Sequence, residues 1–228
     1  MASAAKEDPD RRLELVREFV NTKDFDHDTD GLASPGELAG WLLARGLAGD
    51  DQRTSGQGTG GHGADGHGAD GHDASGHGAG SPTRSGGLAV GPADLRRAID
   101  FREALRAVLL ANNDGGAPGP AAVAVLNRIA ERAKLVTHFD ERGAATLEPV
   151  SGGIDGALGR LLAIVHDAME AGDWRRLKAC RNATCLWAFY DTSKNRSRHW
   201  CSMDSCGSQV KARTYRQRKK VGPPAGTA

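Results

Sequence analysis

The sequence predicts a mainly α-helical protein with small β-hairpins. It reads as an α+β chain in which a helical N-terminal domain leads into a small cysteine-held finger of zinc-ribbon type and then a basic helix. Three observations carry that expectation. Apolar residues recur at helical spacing in several stretches between positions 11 and 171. All four cysteines of the 228-residue chain lie between positions 180 and 206, as two Cys-x4-Cys pairs. Directly after them, residues 208–220 are rich in Lys and Arg and contain no acid. A chain of this length holds one ordinary domain and one small one. The expected division is 1–172 for the helical domain, 173–220 for the finger and basic helix, and 221–228 for a tail.

In order along the chain, Leu13, Val16, Phe19 and Val20 predict a helix over 11–22 with one buried face. Asn21 and Thr22 follow where a helix would be capped or turned. Asp26, Asp28, Asp30, Gly31 and Glu37 satisfy the calcium-loop pattern D-x-D-x-D-G-x5-E. Ala33 at its eighth position, Pro35-Gly36 at the start of the exit helix and the lack of a second such loop argue against calcium. Ser34-Pro35-Gly36-Glu37 reads better as a capping box, with Ser34 at N-cap, Pro35 at N1 and Glu37 at N3. A short amphipathic helix over 37–47 then carries Leu38, Trp41 and Leu42.

Composition changes abruptly at 49–87, which is Gly, His, Asp, Ser and Thr with a GHGAD repeat placing His62, His67, His72 and His77. Such a tract has too little apolar surface to fold and is expected to be an inserted flexible loop. It is either a loose metal chelator or a repeat with no site. Pro92 opens the best helix, 92–111, with Leu95, Ile99, Leu105, Val108 and Leu109 as its stripe. A turn cluster over 112–119 separates it from a helix over 121–133 bearing Val125, Leu126 and Ile129. The alternation in 135–139, a turn, and a return over 144–148 predict a β-hairpin. A further helix over 156–171 places Leu158, Leu161, Leu162, Val165 and Met169 on one face, with Met169 as core filler. His138 and His166 read as exposed or boundary residues. Trp174 is expected to dock the finger on the helical body.

Cys180, Cys185, Cys201 and Cys206 suit one tetrahedral Zn²⁺, each pair forming a turn that aims two sulfurs inward. Two disulfides are the competing reading, and four cysteines allow three pairings. The N-terminal MASAAKEDPDRR has no apolar h-region, which predicts a reducing, cytoplasmic setting and favours the metal. His199, two residues before Cys201, could compete as a ligand, but four thiolates are already present. Between the pairs, 186–191 reads as a half-buried strand, 192–198 as a turn, and a return strand reaches Trp200. A segment this small is expected to depend on its metal to fold.

The string C-x4-C-x-W-x-F-Y-D-x-S-x-N-x-S-R-x-W-C-S-M-x-x-C-G from Cys180 to Gly207, followed by a basic helix, resembles the CGNR zinc finger. In that family the finger follows an ABATE domain. The opening of that domain is resembled here by Phe19, Val20, Asn21, Thr22, Asp30, Leu32, Pro35, Leu38, Trp41 and Leu42. The resemblance implies a stress-induced transcriptional regulator. The motif's Asn and Arg are replaced here by Ser208 and Gln209.

Net charge is +1, but 175–220 holds thirteen Lys and Arg against two acids, so the rest of the chain is acidic. That asymmetry points to a polyanionic partner for the finger. The expected contacts are Lys194, Arg196 and Arg198 from the turn, and Lys211, Arg213, Arg216, Arg218, Lys219 and Lys220 from the basic helix. Together, charge and resemblance predict a zinc-dependent protein that binds nucleic acid, DNA first, with an N-terminal sensing or dimerising domain. A homodimer fits that picture, and the small-molecule effector is unassigned. The alternatives are a protein–protein interaction module with purely structural zinc, or a small-molecule or metal sensor whose finger only reports. No apolar run is long enough to span a membrane. No phosphate-cradling Gly loop or catalytic constellation stands out, so no enzymatic activity is expected.

Overall fold

A computed structural model of the chain describes residues 9–48 and 88–221. The GHGAD tract, with its four histidines, lies outside the described residues, as does the tail beyond 221. The described elements are α1 (Pro9–Val20), β1 (Lys23–Asp24), β2 (Thr29–Asp30), α2 (Pro35–Ala44), α3 (Pro92–Ala111), α4 (Pro120–Ala133), β3 (Leu135–Phe139), β4 (Ala145–Pro149), α5 (Gly153–Ala171), β5 (Leu177–Ala179), β6 (Ala188–Tyr190) and α6 (Ser208–Val221). The expected α+β class is observed. The strands form three separate two-stranded antiparallel sheets, β1–β2, β3–β4 and β5–β6.

The helical body assembles as the apolar stripes require. Leu13, Val16, Phe19 and Val20 of α1 are buried against Phe101, Leu105 and Leu109 of α3 and Leu158, Leu161 and Val165 of α5. The Phe19 ring packs on Trp41 at 5.3 Å and on Phe101 at 5.7 Å, joining α1, α2 and α3. Ser34 caps α2 as expected, its hydroxyl accepting from the Glu37 N–H, but the Glu37 carboxylate accepts from that hydroxyl and so closes the box on the side chain, not on the Ser34 N–H. Gly159 sets how closely α5 meets its neighbours. A Cβ there would stand 2.5 Å from the Ala133 Cβ and 3.0 Å from the Pro149 Cβ, so any larger residue would push α4 and the β3–β4 hairpin away.

Two expectations are corrected. Met169 is not core filler but is 45% exposed. The buried stripe of α5 continues through Ile164, Val165 and Ala168, and one further residue turns Met169 about 100° away. The segment 192–200 does not form a return strand. The partner of β6 is β5, in the register Leu177↔Tyr190, Lys178↔Phe189 and Ala179↔Ala188. The return reduces to a single bond from the Arg181 N–H to the His199 carbonyl, 2.9 Å. Ser193 and Arg198 instead turn their N–H groups to the Asp191 carboxylate, which competes with ladder formation. In α6, Val210 and Thr214 form a half-buried strip, and Tyr215 is 65% exposed.

The finger is not a module hung on a linker. Trp174, Leu177, Ala179 and Ala188 belong to the same hydrophobic core as α1, α3 and α5. A second, smaller cluster holds Cys180, Cys185, Cys206 and Phe189, with Trp187, Trp200 and Cys201 against it. The β5–β6 hairpin therefore has one side in the body and the other over the cysteines.

Candidate metal centre and its seam with the helical body

Cys180, Cys185 and Cys206 are each positioned by a different local device. Cys180 directly follows β5, and its N–H donates to the Trp187 carbonyl at 2.9 Å. Cys185 closes a turn on Asn182, whose carbonyl accepts from the N–H groups of both Cys185 and Leu186. Leu186 takes the left-handed conformation, φ +52°, to leave that turn. Cys206 sits in one π-helical turn, Met203–Gly207, that runs straight into α6; Ser202 caps it by accepting from the Ser205 N–H. Gly207 is tight against Met203, whose Sδ would lie 3.1 Å from an added Cβ.

The four sulfurs lie within 4.8 Å of one another, and no other such group of His, Cys, Asp or Glu occurs among the described residues. Cys185 Sγ is 3.6 Å from Cys201 Sγ, which is 3.7 Å from Cys206 Sγ. For metal–sulfur bonds of about 2.3 Å, a regular tetrahedron has edges of roughly 3.8 Å, so these separations fit a four-coordinate tetrathiolate site. All four thiols are free of disulfides. Their electrostatics show why a cation belongs there. A hydrogen bond from Cys185 draws the Cys180 thiol down to about 5, and the same bond holds the Cys185 proton on. Burial, then the Cys180 charge, push Cys201 up to about 12. Thiols this close and this dry cannot all ionise without a positive charge between them. The four-thiol cluster expected from the spacing is thus assembled. His199 is not part of it; its ring packs edge-on against Trp200, and its Nδ1 is buried without a partner.

A buried pair braces the finger from within. Lys178 is 1% exposed and Asp191 0%, and their charged groups meet at 2.8 Å. The Lys178 ammonium also donates to the Arg196 and Arg198 carbonyls. The Asp191 carboxylate accepts from the Ser193 N–H and hydroxyl and from the Arg198 N–H. Burial alone would raise the Asp191 carboxyl, but the Lys178 ammonium and these donors hold it well below the usual carboxylate range. The Asp, Ser and Arg of the finger's sequence string therefore shape the loop 191–198. Arg198 is half-buried, its guanidinium donating to the Cys201 carbonyl at 2.7 Å and stacked over Phe189 at 5.3 Å. Lys194 and Arg196 are exposed on that loop.

The seam with the body is a set of polar clamps that pattern reading missed. The Asn21 side chain pairs with the Ala188 backbone in both directions: Nδ2 donates to the carbonyl at 2.9 Å and Oδ1 accepts from the N–H at 2.7 Å. Arg106, 2% exposed, donates to the Leu186 carbonyl in the cysteine turn and to the Val20 carbonyl at the end of α1. Asn112 Nδ2 donates to the Trp174 and Leu177 carbonyls, and Asn113 Nδ2 to the Ala179 carbonyl. Beneath them Arg102, 3% exposed, binds Asp30 through two nitrogens, at 2.7 and 2.9 Å, and also donates to Thr22. Glu103 bridges Arg102 and Arg106. Both Asp30 oxygens are spent on Arg102, and Asp28 pairs with Lys23 across the β1–β2 turn, so the acidic pattern there builds a hairpin and an ion pair. The available signal was Arg at i and i+4 among the buried apolar positions of α3, where an unpaired charge would be costly.

The basic helix α6 follows Cys206 and rests on the π-turn. Lys211, Arg213, Arg216 and Lys219 are exposed, and Lys219 lies 6.0 Å over the Tyr215 ring. Arg218 and Lys220 are on α6, but their side chains are outside the described set. At its start, Gln209 accepts from the buried Asn182 at 3.2 Å, and the Ser208 hydroxyl donates to the Met203 carbonyl. Asn182 thereby links the first cysteine turn to the residue standing at the motif's Arg position.

A helical body with a four-thiol finger clamped into its core and a basic helix leaving the last cysteine defines the class of protein. Residues 13–171 match the family ABATE, described as "Putative stress-induced transcription regulator", and residues 176–219 match the CGNR zinc finger. The chain belongs to the ABATE family, with a CGNR finger at its C-terminal end. Neither description is that of an enzyme family. No curated protein matches the chain by sequence. No described helix is long and apolar enough to cross a membrane.

Proposed function

We propose that this protein is a zinc-dependent nucleic-acid-binding regulator in which Cys180, Cys185, Cys201 and Cys206 hold one Zn²⁺. In this reading the filled site fixes the π-turn, and the π-turn aims α6 at a phosphate backbone. The observation that carries the reading is α6 itself: an acid-free helix of about 21 Å, its described side chains exposed except for the strip at Val210 and Thr214, joined directly to a metal ligand. Lys211, Arg213, Arg216, Arg218, Lys219 and Lys220 supply its charge, with Lys194 and Arg196 beside it from the loop. Arg198, held by Cys201 and Phe189, acts mainly as the loop's brace. Four thiolates at tetrahedral separations favour zinc over hard, octahedral ions such as Mg²⁺ or Ca²⁺. The domain boundaries 1–172 and 173–220 stand as a division of labour between a body and a contacting finger.

The test is a salt titration of the full zinc-loaded chain on duplex DNA by fluorescence anisotropy. With about five phosphates neutralised, log affinity should fall against log salt with a slope of roughly −4 to −5. The double change Arg213→Ala and Arg216→Ala should weaken binding to all sequences alike and flatten the slope by about two. No detectable binding at low salt, with zinc in place, would overturn this reading in favour of a protein–protein interaction module.

A further inference from the structure

Away from the finger, α1, the end of α2, β4 and α5 diverge around a cavity of about 500 Å³. Pockets that take small organic ligands span roughly 300 to 1,000 Å³. Three arginines from three different helices or their ends line it: Arg12, Arg45 and Arg160. Its apolar wall includes Leu47, Leu147 and Ile164. Two of the arginines are already matched. Arg12 pairs with Asp167 at 2.8 Å, and Arg45 pairs with Glu18 at 2.7 Å while stacking on Trp41.

Arg160 is different. It is half-buried, its Nη1 donates to the Leu47 carbonyl at 2.6 Å, and it has no carboxylate partner among the described residues. The other acid at the cavity, Glu148, is exposed and bonded to Thr146. A guanidinium keeps its charge under all ordinary conditions and presents a fork of donors suited to a carboxylate or sulfonate. Arg12, Arg45 and Arg160 outnumber the two acids of the lining, Asp167 and Glu148.

We infer that this cavity is a binding site for a small organic anion with an apolar body. Its acidic group is held by Arg160 and flanked by Arg12 and Arg45, and its hydrocarbon part lies on Leu47, Leu147 and Ile164. The site is independent of the nucleic-acid reading, since none of its residues belongs to the finger.

The probe is 8-anilinonaphthalene-1-sulfonate, one sulfonate on an aromatic body, titrated into the full native chain and followed by fluorescence. Saturable binding with one site per chain is expected. Arg160→Met retains an apolar stem without the charge and should weaken binding at least tenfold. Leu147→Glu, on the solvent-facing hairpin, adds a like charge at the wall and should weaken it comparably, so the test survives if one variant does not fold. Arg128→Met, on α4 and outside this cavity, should leave binding unchanged. Non-saturable binding, or equal affinity in folded Arg160→Met or Leu147→Glu, would overturn the assignment. Binding that appears only after residues 49–87 are excised would also overturn it, by showing that the chain fills its own cavity.

Discussion

The β3–β4 hairpin has five paired positions and the β5–β6 hairpin three, yet the shorter one is the more deeply held. Along β3 and β4 no residue is buried, and seven of the ten are exposed, Val136 and Phe139 among them. Along β5 and β6 all but Tyr190 are buried. The short hairpin is gripped from outside its ladder. Asn21 takes both backbone groups of Ala188, Asn112 and Asn113 take carbonyls of Leu177 and Ala179, and Lys178 and Asp191 close it internally. The difference teaches that ladder length does not measure how firmly a hairpin is fixed here. Shared core and side chains that satisfy its free backbone edge do.

The sharpest way to break this comparison is to remove the metal from the full chain with a chelator and follow thermal unfolding. Because Leu177, Ala179 and Ala188 share the body's core, the midpoint of a single transition should drop by roughly 10 °C or more. A helical body that melts unchanged while the finger signal is lost would show that the seam transmits nothing.

Next in size is Arg106→Met. It removes the donor shared by Val20 and Leu186 and should cost about 2–4 kcal/mol in denaturant unfolding of the metal-loaded protein. It should also weaken metal affinity in a chelator competition, since Leu186 adjoins Cys185. Stability falling with metal affinity unchanged would mean that Arg106 serves the body alone.

Asn21→Ala should cost about 2 kcal/mol, because it leaves both polar groups of Ala188 unpaired at the seam. A loss below about 0.5 kcal/mol would return Asn21 to the role of a simple helix-end residue.

Asp30→Asn probes the layer beneath through pH. Burial raises the Asp30 carboxyl, but the Arg102 guanidinium and the Leu32 N–H outweigh it and hold the carboxyl below its ordinary value. A depressed folded value stabilises above the unfolded value of about 3.9 and is lost as pH falls through the folded one. The stability gap between wild type and Asp30→Asn should therefore be full near neutrality and shrink below about pH 4. Taking the difference cancels the acid release of metal common to both proteins. A gap that does not change with pH would remove the ion pair from the account. The smallest effect belongs to the exposed hairpin: Phe139→Ser should change stability by no more than about 0.5 kcal/mol.

By itself the sequence determined the helical stripes, the Ser34 cap, the β3–β4 hairpin and the gathering of the four cysteines. These are local or periodic features, so spacing alone reveals them: a stripe repeats every 3.6 residues, and a Cys-x4-Cys pair turns on itself. Only the tertiary structure decided the partner of β6, the exposure of Met169, and the uses of Asn21, Arg102, Arg106 and Lys178. The pairing of Leu177 with Tyr190 spans the first cysteine turn, and Asn21 meets Ala188 from 167 positions away. No periodicity encodes such meetings. They arise because a folded core leaves buried backbone groups and charges that must find partners wherever the chain brings them.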